Sequence, residues 1–477
     1  MSAPSPVFDV AVIGAGAVGS AIARELSRYA LTVALVEAGS DVGVGTSKAS
    51  TAIWHTGYDA KPGTLESRLL KRSYALMAEF MPAAGVPVEL TGGMLIAWTP
   101  EQQASLPKLH AQGLANGDDD VYLIDAEEVY RREPHLGPGA LGGLFVPGEG
   151  ILCTYTVPLA FATQAVLNGT ALRLNFAVTQ ITPGPEGTHT LTSAAGGTLA
   201  CRYVVNAAGL HGDTIDRLLG HADFTITPRR GQLIVFDKFA RRLVNHILLP
   251  VPTATTKGVL ISPTVYGNVL LGPTAEDLPD KTATNTTAAG LEALWQKGQV
   301  IIPDLLHEEV TATYAGLRPA TEFSDYQIKL HADQRYVTVG GIRSTGISGA
   351  MGIAEYVVDL LGEAGLALAL KPDFVPVHMP NIGEAGPRPY QSAELIAGNP
   401  DYGRIVCHCE RVSLGELRAA LQAPIPAQTI DGMRRRTRAL QGRCQGFNCH
   451  AAVVAALAQH TGQSAAALTG LEADHAH

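Results

Sequence analysis

Four of the six cysteines in this 477-residue chain fall within one short span: Cys407 and Cys409 in "VCHCER", Cys444 and Cys449 in "GRCQGFNC". Cys153 and Cys201 stand far upstream and far apart, as buried apolar residues do. The cluster reads C-x-C, 34 residues, then C-x4-C. Structural zinc sites favour C-x2-C or wider knuckles, so C-x-C is a poor zinc pattern. Iron–sulfur clusters accept four thiolates at varied spacing, and Gly442 and Gly446 beside Cys444 would let a cluster approach the backbone. "VSLGELRAALQ" between the pairs has helical spacing, and a further helix is predicted to start at Cys449. The N–H groups of that helix start would face the cluster sulfurs. The four thiols therefore predict an iron–sulfur cluster ahead of zinc or bare thiols.

A second chemistry lies at the other end, in "FDVAVIGAGAVGSAIARELSRYALTVALVEAGS". Residues 8–13 form a continuous apolar run of the kind that makes a buried parallel strand. Gly14, Gly16 and Gly19 follow as G-x-G-x-x-G, then helical spacing, then a second apolar strand ending at Glu37. Gly14 suits a tight turn, Gly16 a close approach by a pyrophosphate, and Gly19 close helix–strand packing. The helix N-terminus offers unpaired N–H groups to the phosphates, and Glu37 can accept from adenosine ribose hydroxyls. This fingerprint predicts a dinucleotide and does not separate NAD from FAD.

Two later segments bear on that choice. "CRYVVNAAGLHGDTI", 201–215, is a strand running into Ala207-Ala208-Gly209. "YVTVGGIRSTGISGAMGIAEYVVDLL", 336–361, is a strand, a turn containing Gly340, Gly341 and Gly346, then an apolar helix. Together with the first fingerprint they resemble the D-amino-acid-oxidase-like FAD flavoproteins. The resemblance implies a doubly wound, Rossmann-like α/β FAD domain interleaved with an antiparallel-sheet α+β substrate domain. It also implies FAD contacts at Thr46, Ser47, Val178, Ala208, Gly209, Gly341 and Gly346. "GTSKASTAIWHTGYDAKPGTLESRL" (45–69), "KGVLISPTVYGNVLLGPTAED" (257–277) and "YAGLRPAT" (314–321) resemble the glycerol-3-phosphate and L-2-hydroxyglutarate dehydrogenase branches. The cysteine segment, about 403–465, resembles the small helical bacterioferritin-associated-ferredoxin-like [2Fe-2S] domain.

A flavin takes hydride from a C–H bond, so the protein must orient the substrate and remove a hydroxyl or amine proton. Arg318 in "GLRP", Arg343 in "GGIRSTG" and Lys257 in "TTKGVL" are the cations expected to meet an anionic substrate. His55 lies where the resemblance brings the chain to the flavin ring, as base or as a hydrogen-bonding neighbour. Arg230, His246 and Tyr314 are weaker candidates. Trp54 and "GILCTYTVPLAFA" depart from the family's small aliphatic and acidic-proline patterns, and both are expected to line the pocket. The expected activity is oxidation of a small anionic hydroxy compound, glycerol 3-phosphate first and an L-2-hydroxy acid or amino acid next. Electrons would leave through the cluster to a protein partner or quinone-linked complex, in a possible hetero-oligomer. A non-catalytic electron-transfer subunit and a redox sensor are the rival readings.

Composition sets the frame for these sites. Hydrophobic content of 46% and charged content of 17% describe a globular chain, with a length suited to two or three domains. A net charge of −9 argues against a nucleic-acid footprint. No run of about 18 apolar residues predicts a membrane span, and "MSAPSPVFDVAVIG" reads as a strand and not a leader, so the expected location is cytoplasmic, or peripheral to the membrane through a partner. The expected organisation is an oxidoreductase over 1–370, with substrate segments at about 85–147 and 222–318. "KPDFVPVHMPNIGEAGPRPY", with five prolines, opens a linker over 371–400, and the iron–sulfur domain occupies 401–477.

Overall fold

The structure, a computed structural model, describes residues 7–252 and 258–470. The first elements are β1 (Val7–Ile13), α1 (Ala17–Leu26) and β2 (Val33–Val36). β1 lies between two parallel neighbours, with Ile13 opposite both Val36 of β2 and Asn206 of strand Thr198–Asn206. Strand Tyr336–Gly340 adds beyond Thr198–Asn206 and Ala171–Arg173 beyond β2, both parallel. Antiparallel strands Val178–Pro183, His189–Ser193 and Gln327–His331 complete this sheet. Its central strands are β-branched and buried on both faces, as parallel sheets require. Val10, Val12, Leu35, Val205 and Val337 pack in one core with α1 and with helices Thr156–Leu167 and Ala350–Glu363.

A second sheet draws strands from both halves of the chain. Its order is Glu276–Asp277, Thr227–Phe236, Val269–Gly272, Leu260–Pro263, Ile247–Pro250, Gly93–Ala97, Gly142–Val146, Tyr122–Asp125. The long strand Val310–Ala320 pairs with Thr227–Phe236 along ten register positions. The turn at Gly267, whose φ is +83°, joins two of these strands. One feature corrects the expectation of an antiparallel sheet: Ile247–Pro250 runs parallel to Gly93–Ala97. These strands are far apart in sequence, so no hairpin forces them antiparallel.

The proline-rich stretch has no helix or strand between 371 and 388, yet it is fastened to the body. Met379 N–H donates to Ala84 O, Glu384 N–H donates to Val265 O, and Arg388 is buried between Glu384 and Glu416. It is a strap, and a short helix, Ala393–Gly398, follows it. Helices Leu414–Gln422, Ile430–Thr437 and His450–Thr461 then surround a small core of Val412, Leu417, Met433, Val453 and Leu457.

Candidate functional site: a dinucleotide cradle, a His–Glu pair and four thiols

The cradle is built from positions where a side chain cannot fit. Gly14 has φ +100°, and a Cβ there would lie 2.5 Å from Ala207 O, at the end of strand Thr198–Asn206. A Cβ on Gly19 would lie 1.9 Å from Gly14 O, so α1 can seat on the turn only with glycine there. Gly16 is different: its nearest neighbour would be Ser47 Oγ at 3.4 Å, which leaves the front of the α1 N-terminus open. Ala17 N–H donates to Ser47 Oγ (3.0 Å), and Ala15 N–H donates to Glu37 Oε2 (2.7 Å). Gly39 N–H holds the other Glu37 oxygen at 2.8 Å. Phe176 N–H donates to Glu37 O at 2.7 Å, which brings the start of strand Val178–Pro183 beside that acid. On the other side of α1, a Cβ on Gly346 would contact only Ile342 and Val18, at 3.3 and 3.7 Å. Gly209 and Gly341 both have positive φ, +56° and +64°. An open, N–H-lined helix start with an acid at the end of β2 suits an adenine dinucleotide.

Thr46 Oγ1 donates to Leu317 O (2.8 Å) and Tyr314 OH donates to Ser50 O (3.2 Å), tying strand Val310–Ala320 to the loop that carries Thr46 and Ser47. Arg318 therefore sits next to that loop. It is half-buried and donates to Thr274 O at 2.7 Å, and among the described residues it makes no carboxylate ion pair. Burial, then repulsion from Arg229 across the strand pair, lowers its pKa to about 10, so it remains a cation at neutral pH. A guanidinium whose neighbouring carboxylate, Asp277, is taken by Arg229 suits an incoming anion.

His55 follows the short strand Ile53–Trp54. Its N–H donates to Ser348 Oγ (3.0 Å), in the turn before helix Ala350–Glu363. Its Nδ1 lies 2.9 Å from Glu149 Oε2, and Glu149 is 0% exposed. Glu149 Oε1 accepts from Thr56 N–H at 2.8 Å, which fixes the carboxylate. Sequence reading passed over Glu149, which stands in the "PGEG" turn with no motif around it. Only the pairing of Trp54 with Gly150 brings it to His55.

The other candidates are placed differently. Arg343, with φ +55°, is ion-paired with Glu66, which also accepts from Thr345 Oγ1 (2.9 Å), so its expected role at the substrate anion has a structural competitor. Arg230 pairs with Glu276 (2.7 Å) and donates to Asn285. It alternates with Arg229 along the strand and so faces the side opposite Arg318. His246 Nδ1 is 2.7 Å from the buried Glu133. Trp54 stacks on Tyr74 at 4.3 Å inside the core, and Cys153 is buried with its sulfur 2.9 Å from both Thr156 Oγ1 and Tyr266 OH. Cys153 is thus buried as the sequence suggests, and Trp54 packs against Tyr74. Lys257 lies outside the described residues.

The four thiols form two pairs. Cys407, at the end of strand Ile405–Cys407, meets Cys449, the N-cap of helix His450–Thr461; Cys409 meets Cys444. Cys407 and Cys449 are buried, whereas Cys409 and Cys444 are partly exposed. Backbone N–H groups of Asn448, Gly446 and Phe447 lower the pKa of Cys444, favouring its thiolate. Among the described residues no three His, Cys, Asp or Glu side chains converge on a single-ion site. Two thiol pairs fit a two-iron cluster better than one tetrahedral ion. A Cβ on Gly442 would stand 2.4 Å from Cys409 Cβ, so Gly442→Ala displaces one ligand. Gly442→Ala is expected to lose at least half of the bound iron, measured by iron analysis and visible absorption, with FAD content unchanged.

Comparison with known proteins agrees with both halves of this geometry. Residues 9–360 match the DAO family, "FAD dependent oxidoreductase", and residues 405–459 match the "BFD-like [2Fe-2S] binding domain". A glycerol 3-phosphate dehydrogenase of Caloramator mitchellensis is 37% identical over 98% of this chain and 97% of its own. A solved structure of L-alpha-glycerophosphate oxidase from Mycoplasma pneumoniae with FAD bound is 29% identical, with TM-score 0.75, over 79% of this chain and 100% of that one. The mitochondrial L-2-hydroxyglutarate dehydrogenase of Bos taurus is 30% identical over 56% of this chain and 61% of its own. With FAD and a [2Fe-2S] cluster as its cofactors, the chain belongs to the DAO family of FAD-dependent oxidoreductases, in its glycerol-3-phosphate dehydrogenase-like branch.

Proposed function

We propose that this flavoenzyme oxidises glycerol 3-phosphate at its secondary alcohol and passes the electrons through the [2Fe-2S] cluster to a partner. The observation that carries the chemistry is the His55–Glu149 pair: a histidine held at 2.9 Å by a fully buried carboxylate, against the turn that precedes helix Ala350–Glu363. FAD, held by Gly14, Gly16, Gly19 and Glu37, supplies the hydride acceptor, and the cluster on the four cysteines supplies one-electron transfer. His55 Nδ1 faces Glu149 Oε2 at 2.9 Å, so Nε2 is the nitrogen left to take the substrate hydroxyl proton. The buried carboxylate also stabilises the imidazolium that results. Arg318 binds the phosphate, using a guanidinium that makes no carboxylate ion pair among the described residues.

The choice of substrate is supported by the dehydrogenase relative, whose resemblance runs through the cysteine domain as well. An Arg fork accepts a carboxylate as readily as a phosphate, so an L-2-hydroxy acid is the second reading. The exit through the cluster is supported by the exposure of its outer pair, Cys409 and Cys444, beside Phe447, which is 89% exposed. The acceptor would be an electron-carrying protein or a quinone-linked complex, reached without a span of this chain, since no helix among the described residues is long and apolar enough to cross a membrane.

Anaerobic mixing with substrates tests the reading. Glycerol 3-phosphate is expected to bleach the flavin within the first turnovers and then to reduce the cluster, seen by EPR. Bleaching by L-2-hydroxyglutarate alone would reassign the substrate, and silence towards both and towards amino acids would leave a relay or sensor. Arg318→Ala is expected to raise KM for glycerol 3-phosphate by about 10- to 100-fold, the range of a lost charge-assisted pair. Glu149→Gln is expected to lower kcat by about 100-fold or more with FAD content unchanged. An unchanged kcat in Glu149→Gln would assign Glu149 to packing alone.

A further inference from the structure

The iron–sulfur domain meets the FAD domain through Ile425, which packs into its core, and through a buried carboxylate. Asp41 is 3% exposed and lies between Glu37 and Thr46, in the loop over the glycine turn. Arg436, from helix Ile430–Thr437, grips it with both ends of its fork, Nη1 to Oδ2 at 2.7 Å and Nη2 to Oδ1 at 2.8 Å. Arg435 Nη2 adds a third contact to Oδ2 at 2.7 Å. Arg436 is itself anchored, donating to Ile425 O at 3.2 Å from Nε and 3.1 Å from Nη2. Burial alone would raise the pKa of Asp41, yet the two guanidiniums hold it below the ordinary aspartate value, so the carboxylate stays charged inside the interface.

The gripped loop is part of the cradle. Gly39 N–H positions Glu37 Oε1, Val42 N–H donates to Asp41 Oδ1 (2.9 Å), and Gly43 N–H donates to Ala15 O (2.9 Å). Four residues past Gly43, Ser47 Oγ accepts from Ala17 N–H at the α1 start. The segment 37–47 is thus stitched to the phosphate-binding turn on its inner side and to two arginines of the cluster domain on its outer side. A second, separate anchor joins the cluster domain to the other sheet: Arg438 lies 4.0 Å over the Tyr266 ring and bonds Asn268 Oδ1, while Glu410, next to Cys409, meets Arg438 and Lys238 at 3.2 Å each.

We propose that Asp41, Arg435 and Arg436 form a latch through which the [2Fe-2S] domain completes the FAD site, so that FAD retention and docking of the cluster domain are linked equilibria. With the latch closed, the loop that orients Glu37 is fixed before FAD arrives. With it open, binding FAD must also order the loop. By reciprocity, bound FAD tightens the docking of the cluster domain by the same factor. The linkage holds whichever substrate the flavin oxidises.

FAD release from the full-length holoprotein, followed by flavin fluorescence on dilution, tests one direction. Asp41→Asn and Arg436→Gln are each expected to speed release by about tenfold, within the usual range of coupling between sites. Their combination should be no worse than either alone, because both open the same latch. If Asp41→Asn fails to fold, Arg435→Gln removes one contact and should give a smaller acceleration in the same sense. Hydrogen exchange on the wild-type protein tests the other direction: removing FAD should speed exchange in helix Ile430–Thr437. Unchanged FAD release in Arg436→Gln, or unchanged exchange in that helix on removing FAD, overturns the proposal.

Discussion

One steric fact organises the nucleotide half: the turn after β1, the N-terminal turn of α1 and the end of strand Thr198–Asn206 occupy nearly the same space. The contact exists because Gly14 and Gly19 contribute no Cβ, with carbonyl oxygens standing 2.5 Å and 1.9 Å from where those atoms would be. From it follow the seating of α1, the open front at Gly16 and the direction in which its N–H groups point. The acid of Glu37 is then fixed by two backbone donors, and the loop beyond it has its course set towards Ser47. A methyl group at Gly19 would lever α1 away and undo each of these placements.

The substrate side depends on alternation instead. Strands Thr227–Phe236 and Val310–Ala320 bring Arg229 and Arg318 into register on one face, while Arg230 turns to the other and is satisfied by Glu276. Arg229 has Asp277 at 2.6 Å, which leaves Arg318 as the cation without a carboxylate. The sheet therefore separates a structural arginine from a binding one by a single residue of register.

The parts legible in the sequence are those whose chemistry is local. Glycines at fixed offsets, an acid at a strand end and thiols a few residues apart are required by the cofactors themselves, so the chain displays them contiguously. The residues that sequence reading passed over, or gave a different neighbour, depend on pairs distant in the chain. Glu149 reaches Thr56 across 93 residues, Arg436 reaches Asp41 across 395, and Glu66 meets Arg343 across 277. A carboxylate has no local signature that tells a buried partner from a solvated one, and only the strand pairing and the domain contact decide. The strap after residue 371 shows the same limit, since its prolines specify an extended chain but not the surface that holds it.

The interleaving of strands has a consequence for how the chain is made. β1 is synthesised long before its parallel neighbour Thr198–Asn206, which emerges almost two hundred residues later, and Tyr336–Gly340 later still. At about 5–20 residues per second, β1 spends about 10–40 s with an apolar edge unpaired on that side. The glycine turn shaped for a cofactor therefore begins as an unprotected strand end on the ribosome. Its safety during those seconds falls to β2 and α1, which are complete within the first 36 residues and can cover one edge and one face from the start.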